Sequence, residues 1–273
     1  MGIRKNQRDL TPTERRAFVD AVLALKRSGV YDQFVRTHND FILGDTDTGN
    51  RVGHRSPSFL PWHRQFLLEF ERALQAVDPS VDLPYWDWTT DRSTTASLWS
   101  PDFLGGNGRS GDGQVTTGPF AYGAGNWTLT VRVDSRSYLR RQFGAGGQSL
   151  PTASQVATVL AQTGYDVAPW NSTSASGFRN FVEGWRGPNL HNRVHVWVGG
   201  TMATGVSPND PVFWLHHCHV DKLWSDWQRA RPSAAYLPTG GTPNVVDLRD
   251  VMTPWNTVSP ADLLSHDAWY TYA

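Results

Sequence analysis

Seven of the nine histidines in this 273-residue chain fall into two tight groups, and no other feature constrains the fold as strongly. His38, His54 and His63 make the first group. His191, His195 and the pair His216–His217 make the second. If each group supplies three imidazoles to one metal ion and the two groups make one two-metal site, side chains from both halves of the sequence must converge. Helices that face one another across a core hold such sets well.

The local patterns predict those helices. From Thr11 to Arg27, Phe18, Val19, Val22, Leu23 and Leu25 form an apolar face, with Thr11 or Thr13 as the cap and Gly29 as the stop. A second helix is expected from Tyr31 to Ile42, carrying Phe34, Val35, His38, Phe41 and Ile42. Gly44 to Pro57 is loop. A strong helix follows from Ser58 to Val77, where Phe59, Trp62, His63, Phe66, Leu67, Phe70 and Leu74 share one stripe. A short regular helix covers Leu190 to Val198. The last strong helix is announced by Asp210 as cap and Pro211 in the first turn, and runs to Arg229.

Between Asp78 and Asn180 the pattern weakens into glycine- and proline-rich sequence. We expect long loops wrapped on the core there, with a short helix inside Leu150–Thr163 and a short surface strand where Trp127 to Val133 alternates. From Arg231 on, turn residues dominate. No internal repeat is visible, and 39% hydrophobic content suffices for one core, so residues 1–273 are expected to form a single domain.

Charge narrows the partners. Lys and Arg number 25, as do Asp and Glu, so nothing favours tracking a phosphate backbone and nucleic acid is not expected. No apolar run is long enough for a membrane span. The opening MGIRKNQRDLTPTERR lacks the apolar core of an export signal. A lone cysteine, Cys218, excludes an internal disulfide.

The ligand chemistry follows from spacing. His191 and His195 are four apart, which on a helix puts both rings on one face, and His217 comes from another helix. In the first group His63 and His38 sit on separate helices and His54 arrives from a loop. Hydrolytic dizinc sites usually recruit carboxylates, and neither triad shows one at ligand spacing. An all-imidazole pair favours copper.

The segments RTHNDFI, GHRSPSFLPWHRQFLLEFE, LPYWDW, EGWRGPNLHNRVHVWVGG and SPNDPVFWLHHCHVDKLW resemble the type 3 copper proteins, and within them the bacterial tyrosinases of the Streptomyces kind. The likeness covers nearly the whole length. It implies a mainly α fold: an antiparallel four-helix bundle core holding a dicopper centre, with long loops and a few short strands. His38, His54 and His63 would bind one copper ion (CuA), and His191, His195 and His217 the other (CuB). Dioxygen would be the co-substrate. Phenols such as tyrosine would be hydroxylated at the ortho carbon, and o-diphenols oxidised to o-quinones.

Further roles follow from the same resemblance. Glu183 and Asn192 match a pair that holds a water near CuB, able to take the proton of an incoming phenol. Val196 matches the position bordering substrate access, where a small apolar residue leaves room for a ring. Phe59 matches a phenylalanine at the pocket beside a CuA histidine, with packing as its main job. His216 is expected in a supporting shell, since adjacent helical residues diverge by about 100° and His217 takes the ligand place. Asp221, one turn on, would orient a histidine or pair with an arginine such as Arg55; we favour the ion pair. His266 is expected at the surface. Relatives usually carry Ala-Tyr where this chain has Cys218-His219, which puts substrate preference in question; Cys218 is expected to pack as a small hydrophobe without a thioether.

Close relatives rely on a small accessory protein that delivers copper and carries the enzyme out through its own export signal. Secretion by that route, or residence in the cytoplasm, is therefore expected. The alternatives are a catechol or o-aminophenol oxidase with weak monophenol hydroxylation, an oxygen carrier, and a helical binding protein without metal.

Overall fold

The computed structural model describes residues 1–125 and 127–273. Helix α1 (Pro12–Arg27) begins where Thr11 and Glu14 cap one another. The Thr11 hydroxyl accepts the Glu14 N–H at 3.2 Å, and the Glu14 carboxylate accepts the Thr11 N–H at 2.8 Å. Replacing Thr11 with alanine is expected to cost about 1 kcal/mol in urea unfolding. Gly29, at φ +78°, reverses the chain into α2 (Val30–Gly44).

Helix α3 (Phe59–Val77) is the axis of the core, buried on most of its faces. Its ring contacts set the direction of its neighbours. On α2, Phe34 meets Phe70 and Phe66, whereas Phe41, further along, meets Trp62. On α8 (Val212–Ala230), Trp214 stacks on Phe70 at 3.6 Å while His217 stacks on His63 at 4.4 Å. Both partners therefore run antiparallel to α3. The short α7 (His191–Val198) lies against α8. The mainly α bundle expected from the sequence is the observed architecture.

The stretch from α3 to α7 holds α4 (Tyr122–Gly125), α5 (Ala153–Leu160) and α6 (Phe178–Glu183), joined by long loops. Helix α5 has its own reciprocal cap, Thr152 with Gln155. No strand forms over Trp127–Val133. Trp127 and Leu129 are buried and Thr128 and Thr130 exposed, as alternation demands, but the backbone has no ladder partner. Single bonds hold it instead: Leu129 N–H to the Ser137 carbonyl, and the Asn209 amide to the Val131 carbonyl. The observed strands are β1 (Gly2–Arg4) and β2 (Tyr270–Tyr272), which pair in parallel and bring the chain ends together.

Helix α8 starts one residue later than expected. Asp210 accepts the Val212 N–H at 3.1 Å, but its main partner is the buried Arg141, which it grips with both oxygens at 2.7 Å. Arg141 also donates to the carbonyls of Leu104, Gly105 and Gly106, so this one side chain fixes the loops to the root of α8.

Two expectations are corrected near the chain ends. Asp221 does form an ion pair, but with Arg64 at 2.6 Å and Arg4 at 3.4 Å, inside a buried cluster closed by the hydroxyls of Tyr270 and Tyr272. Arg55 pairs instead with Asp47, and Asp221 bonds to no histidine. His266 is buried, not at the surface. Its Nδ1–H donates to the Tyr270 carbonyl at 2.9 Å, and its Nε2 accepts the Ser225 hydroxyl at 2.7 Å. Aromatic residues of the tail supply a stacking face that the isolated sequence position gave no sign of.

Candidate metal centre

The six expected imidazoles reach the same place from three helices flanking α3, from α3 itself and from one loop. His38 lies on α2, His63 on α3, His191 and His195 on α7, and His217 on α8. His54 is carried by the loop between α2 and α3. All six are buried or nearly so. In the first group the nitrogens of His38, His54 and His63 lie within 4.8 Å of one another; in the second, those of His191, His195, His216 and His217 do. The groups face each other, with His63 and His217 stacked at 4.4 Å and 16°.

Backbone carbonyls set the tautomers. Nδ1 of His38 faces the Gly205 carbonyl at 2.9 Å, that of His63 the Phe59 carbonyl at 2.8 Å, that of His191 the Glu183 carbonyl at 3.1 Å, and that of His195 the Met202 carbonyl at 2.7 Å. A carbonyl only accepts, so each Nδ1 carries the proton and each Nε2 keeps a bare lone pair. The Nε2 atoms of His38 and His63 are buried without a partner among the described residues. Those of His191 and His195 both lie 3.2 Å from Nε2 of His217. Lone pairs crowded this closely in a dry interior suit a shared cation, and neutral imidazole suits copper.

Burial keeps the rings neutral. Desolvation is the leading cause that pushes His38, His63, His191, His216 and His217 well below the usual imidazole range, with neighbouring histidines adding to it. His195 is lowered to about 4, as is His219 away from the group. Between about pH 4 and 6.5 the unfolded chain binds more protons on these histidines than the folded one, so folding stability increases with pH there. The copper-free protein is expected to lose thermal stability as pH falls from 6.5 through 4, and a midpoint independent of pH across that window would contradict this assignment.

His216 sits within the second group yet offers it no lone pair. The Trp88 indole N–H donates to His216 Nδ1 at 3.1 Å, which leaves the proton on Nε2. Its ring stacks on His191 at 5.2 Å and 14°, so it braces a neighbour. Asp45, which sequence reading missed, anchors the His54 loop: its carboxylate accepts the N–H groups of Val52, Gly53 and His54 at 2.8, 2.8 and 2.7 Å. No local signal separates such an aspartate from one that faces solvent.

Phe59 is fully buried, with its ring 4.7 Å from His63 and 5.0 Å from His191. It is a floor beneath both groups and not a wall of the cavity. That cavity, of about 380 Å³, is lined by His38, His54, His191 and His195, by Asn192 and Val196, and by Arg55 and Trp185 at one side. Val196 is 39% exposed. Asn192 Oδ1 lies 3.0 Å from His191 Nδ1. Glu183 is buried behind this wall, its carboxylate holding the Arg55 N–H at 2.6 Å and Arg179 at 2.9 Å. Gly184, at φ +108°, ends α6 against α7. A side chain there would come within 3.0 Å of Asn192, and the close approach lets the Glu183 carbonyl reach His191.

Cys218 and His219 lie elsewhere. The Cys218 thiol is buried against the Leu83 carbonyl and the Tyr272 hydroxyl, and burial pushes it up to about 12. His219 stacks on Tyr85 and lies 3.6 Å from Asp87.

A family model described as the common central domain of tyrosinase matches residues 28–230. The tyrosinase of Streptomyces antibioticus is 69% identical over 272 residues, covering 100% of this chain and 99% of its own. That of Streptomyces glaucescens is 68% identical with the same coverage. Among solved structures, a polyphenol oxidase from Thermothelomyces thermophila aligns with a TM-score of 0.64 and 26% identity over 84% of this chain and 70% of its own.

Proposed function

Because the chain belongs to the tyrosinase family, with its dicopper, phenol-oxidising chemistry, we propose that His38, His54 and His63 hold one copper ion and His191, His195 and His217 the other. The observation that carries this is the convergence of two buried imidazole groups, in which Nε2 of His38 and His63 meets no partner among the described residues and Nε2 of His191 and His195 meets only Nε2 of His217. When bound, the copper pair supplies the activation of dioxygen and one-electron cycling at each ion.

The remaining work falls to the protein. Carbonyls of Phe59, Glu183, Met202 and Gly205 keep protons on Nδ1 and aim the rings. Phe59 and Phe213 close the floor against water, the latter 4.0 Å from His217. A phenol enters over Val196 with its hydroxyl toward the histidines. Asn192 holds the water that first takes the phenol proton, and the Glu183 carboxylate behind it stabilises the resulting positive charge. Glu183 keeps its own ion pair with Arg179 throughout, so its role is electrostatic more than that of a free base.

Residues 1–273 are read as one copper domain, in line with one contiguous apolar core. The proposal includes a phenolic small molecule as substrate and a small accessory protein that delivers copper and carries the enzyme out of the cell, with cytoplasmic residence as the alternative. No helix among the described residues is long and apolar enough to cross a membrane.

Assaying L-tyrosine and L-DOPA side by side, on protein with its copper counted, tests the reading. Turnover of both with about two copper ions per chain supports it. L-DOPA turnover with no tyrosine hydroxylation after full loading would mark a catechol or o-aminophenol oxidase. Reversible oxygen uptake without catechol turnover would mark a carrier, and no copper after reconstitution would remove the metal reading altogether.

A further inference from the structure

We propose that Arg55 and Trp185 form a carboxylate subsite at the side of the histidine cavity, which selects phenols carrying an anionic arm; the proposal rests on the phenol-oxidising reading above.

Three observations support it. First, Arg55 is the only Arg, Lys, Asp or Glu among the described residues lining the cavity. The remaining lining residues are imidazoles, apolar groups and small polar ones, so an anion has one place to go. Second, the guanidinium is fixed but not saturated. It lies over the Trp185 indole, with Cζ 4.2 Å from the ring centroid, and Nη1 donates to Asp47 at 2.9 Å. Among the described residues no acceptor meets its Nε or Nη2, which leaves donors of a fork suited to a carboxylate. The indole Nε1–H of Trp185 is also buried without an acceptor. Third, the backbone at Arg55 is held in place at a cost. Its φ of 52° is left-handed, a strained conformation for a residue with a Cβ, and the Glu183 carboxylate clamps its N–H at 2.6 Å. Strain held this way beside His54 keeps the cation at the cavity.

With the hydroxyl among the histidines, the para substituent points back toward the mouth. An arm of a few carbons ending in a carboxylate brings its charge toward Arg55. A cationic arm would be opposed there, and a ring without an arm would gain nothing.

The test compares kcat/KM for dihydrocaffeate, catechol and dopamine on copper-loaded protein. In Arg55→Gln the ratio of dihydrocaffeate to catechol is expected to fall about tenfold, chiefly through KM, and dopamine to improve relative to catechol. Asp47→Asn removes the competing carboxylate and should move the dihydrocaffeate ratio the opposite way, which a purely structural role would not do. Titration of copper-free protein with hydrocinnamate by calorimetry gives a readout without turnover, with binding weaker in Arg55→Gln and weaker at high salt. Ratios that stay the same in both variants would overturn the subsite while catechol oxidation continued. Loss of every substrate in the wild type would instead overturn the phenol-oxidising reading.

Discussion

Replacing His217 with alanine is expected to have the largest effect of any single change, lowering L-DOPA turnover at least about a thousandfold and removing about one copper ion per chain. His217 is the hub of the site. Its Nε2 lies 3.2 Å from those of both His191 and His195, and its ring is packed between His63 at 4.4 Å and Phe213 at 4.0 Å. Truncation removes a proposed ligand and the wall between the two groups together. It also opens a void in a tightly packed core, costing about 2–4 kcal/mol. His217→Gln, which keeps much of the volume, separates the two effects: copper and turnover should still fall while folding is largely retained. Full copper content with ordinary turnover in either variant would refute the assignment of His217 as a ligand.

Asp45→Ala comes second. Its carboxylate accepts three consecutive N–H groups, the last belonging to His54. Two of those bonds are buried, and the bonds of an ionised acceptor are the strong ones. Their loss should cost about 3 kcal/mol and let the loop drift, so His54 no longer meets His38 and His63. Copper analysis is expected to show loss from the first group, with turnover down at least about a hundredfold. Asn at this position retains one acceptor oxygen and should fall between alanine and wild type. A variant with unchanged copper binding and stability would mean that the loop is ordered by other contacts.

The contrast between these two residues shows what the sequence makes legible. His217 could be read because helical spacing places it beside an apolar stripe, and because imidazoles in matched sets have few other uses. The helices α1, α2, α3, α7 and α8 were legible for a similar reason: their apolar positions repeat at three and four residues, with caps such as Thr11 in view. Asp45 was not legible, because an aspartate in a polar loop looks the same whether it anchors three amides or faces solvent. Trp88 belongs with it. It fixes the tautomer of His216 from 128 positions away in the chain, and nothing local reveals the pairing. The alternation over Trp127–Val133 gave the buried face correctly but not the missing partner strand, since alternation reports burial and not hydrogen bonding. The partner of Asp221 and the burial of His266 were misread for a related reason. Their partners, Arg64, Arg4, Ser225 and Tyr270, are assembled by the closing of the two chain ends through β1 and β2.

The all-imidazole ligand set proposed for the two ions has a consequence for charge inventory. Those rings are neutral donors, and the nearby Glu183 is already committed to Arg179. Two metal cations placed there would leave a surplus of positive charge in a medium of low polarisability, with no formal counterion among the ligands. A negatively charged guest offsets that surplus, which favours phenolate over phenol at the moment of docking. It also makes small anions such as halides or azide natural competitors, more effective as acid lowers the supply of hydroxide.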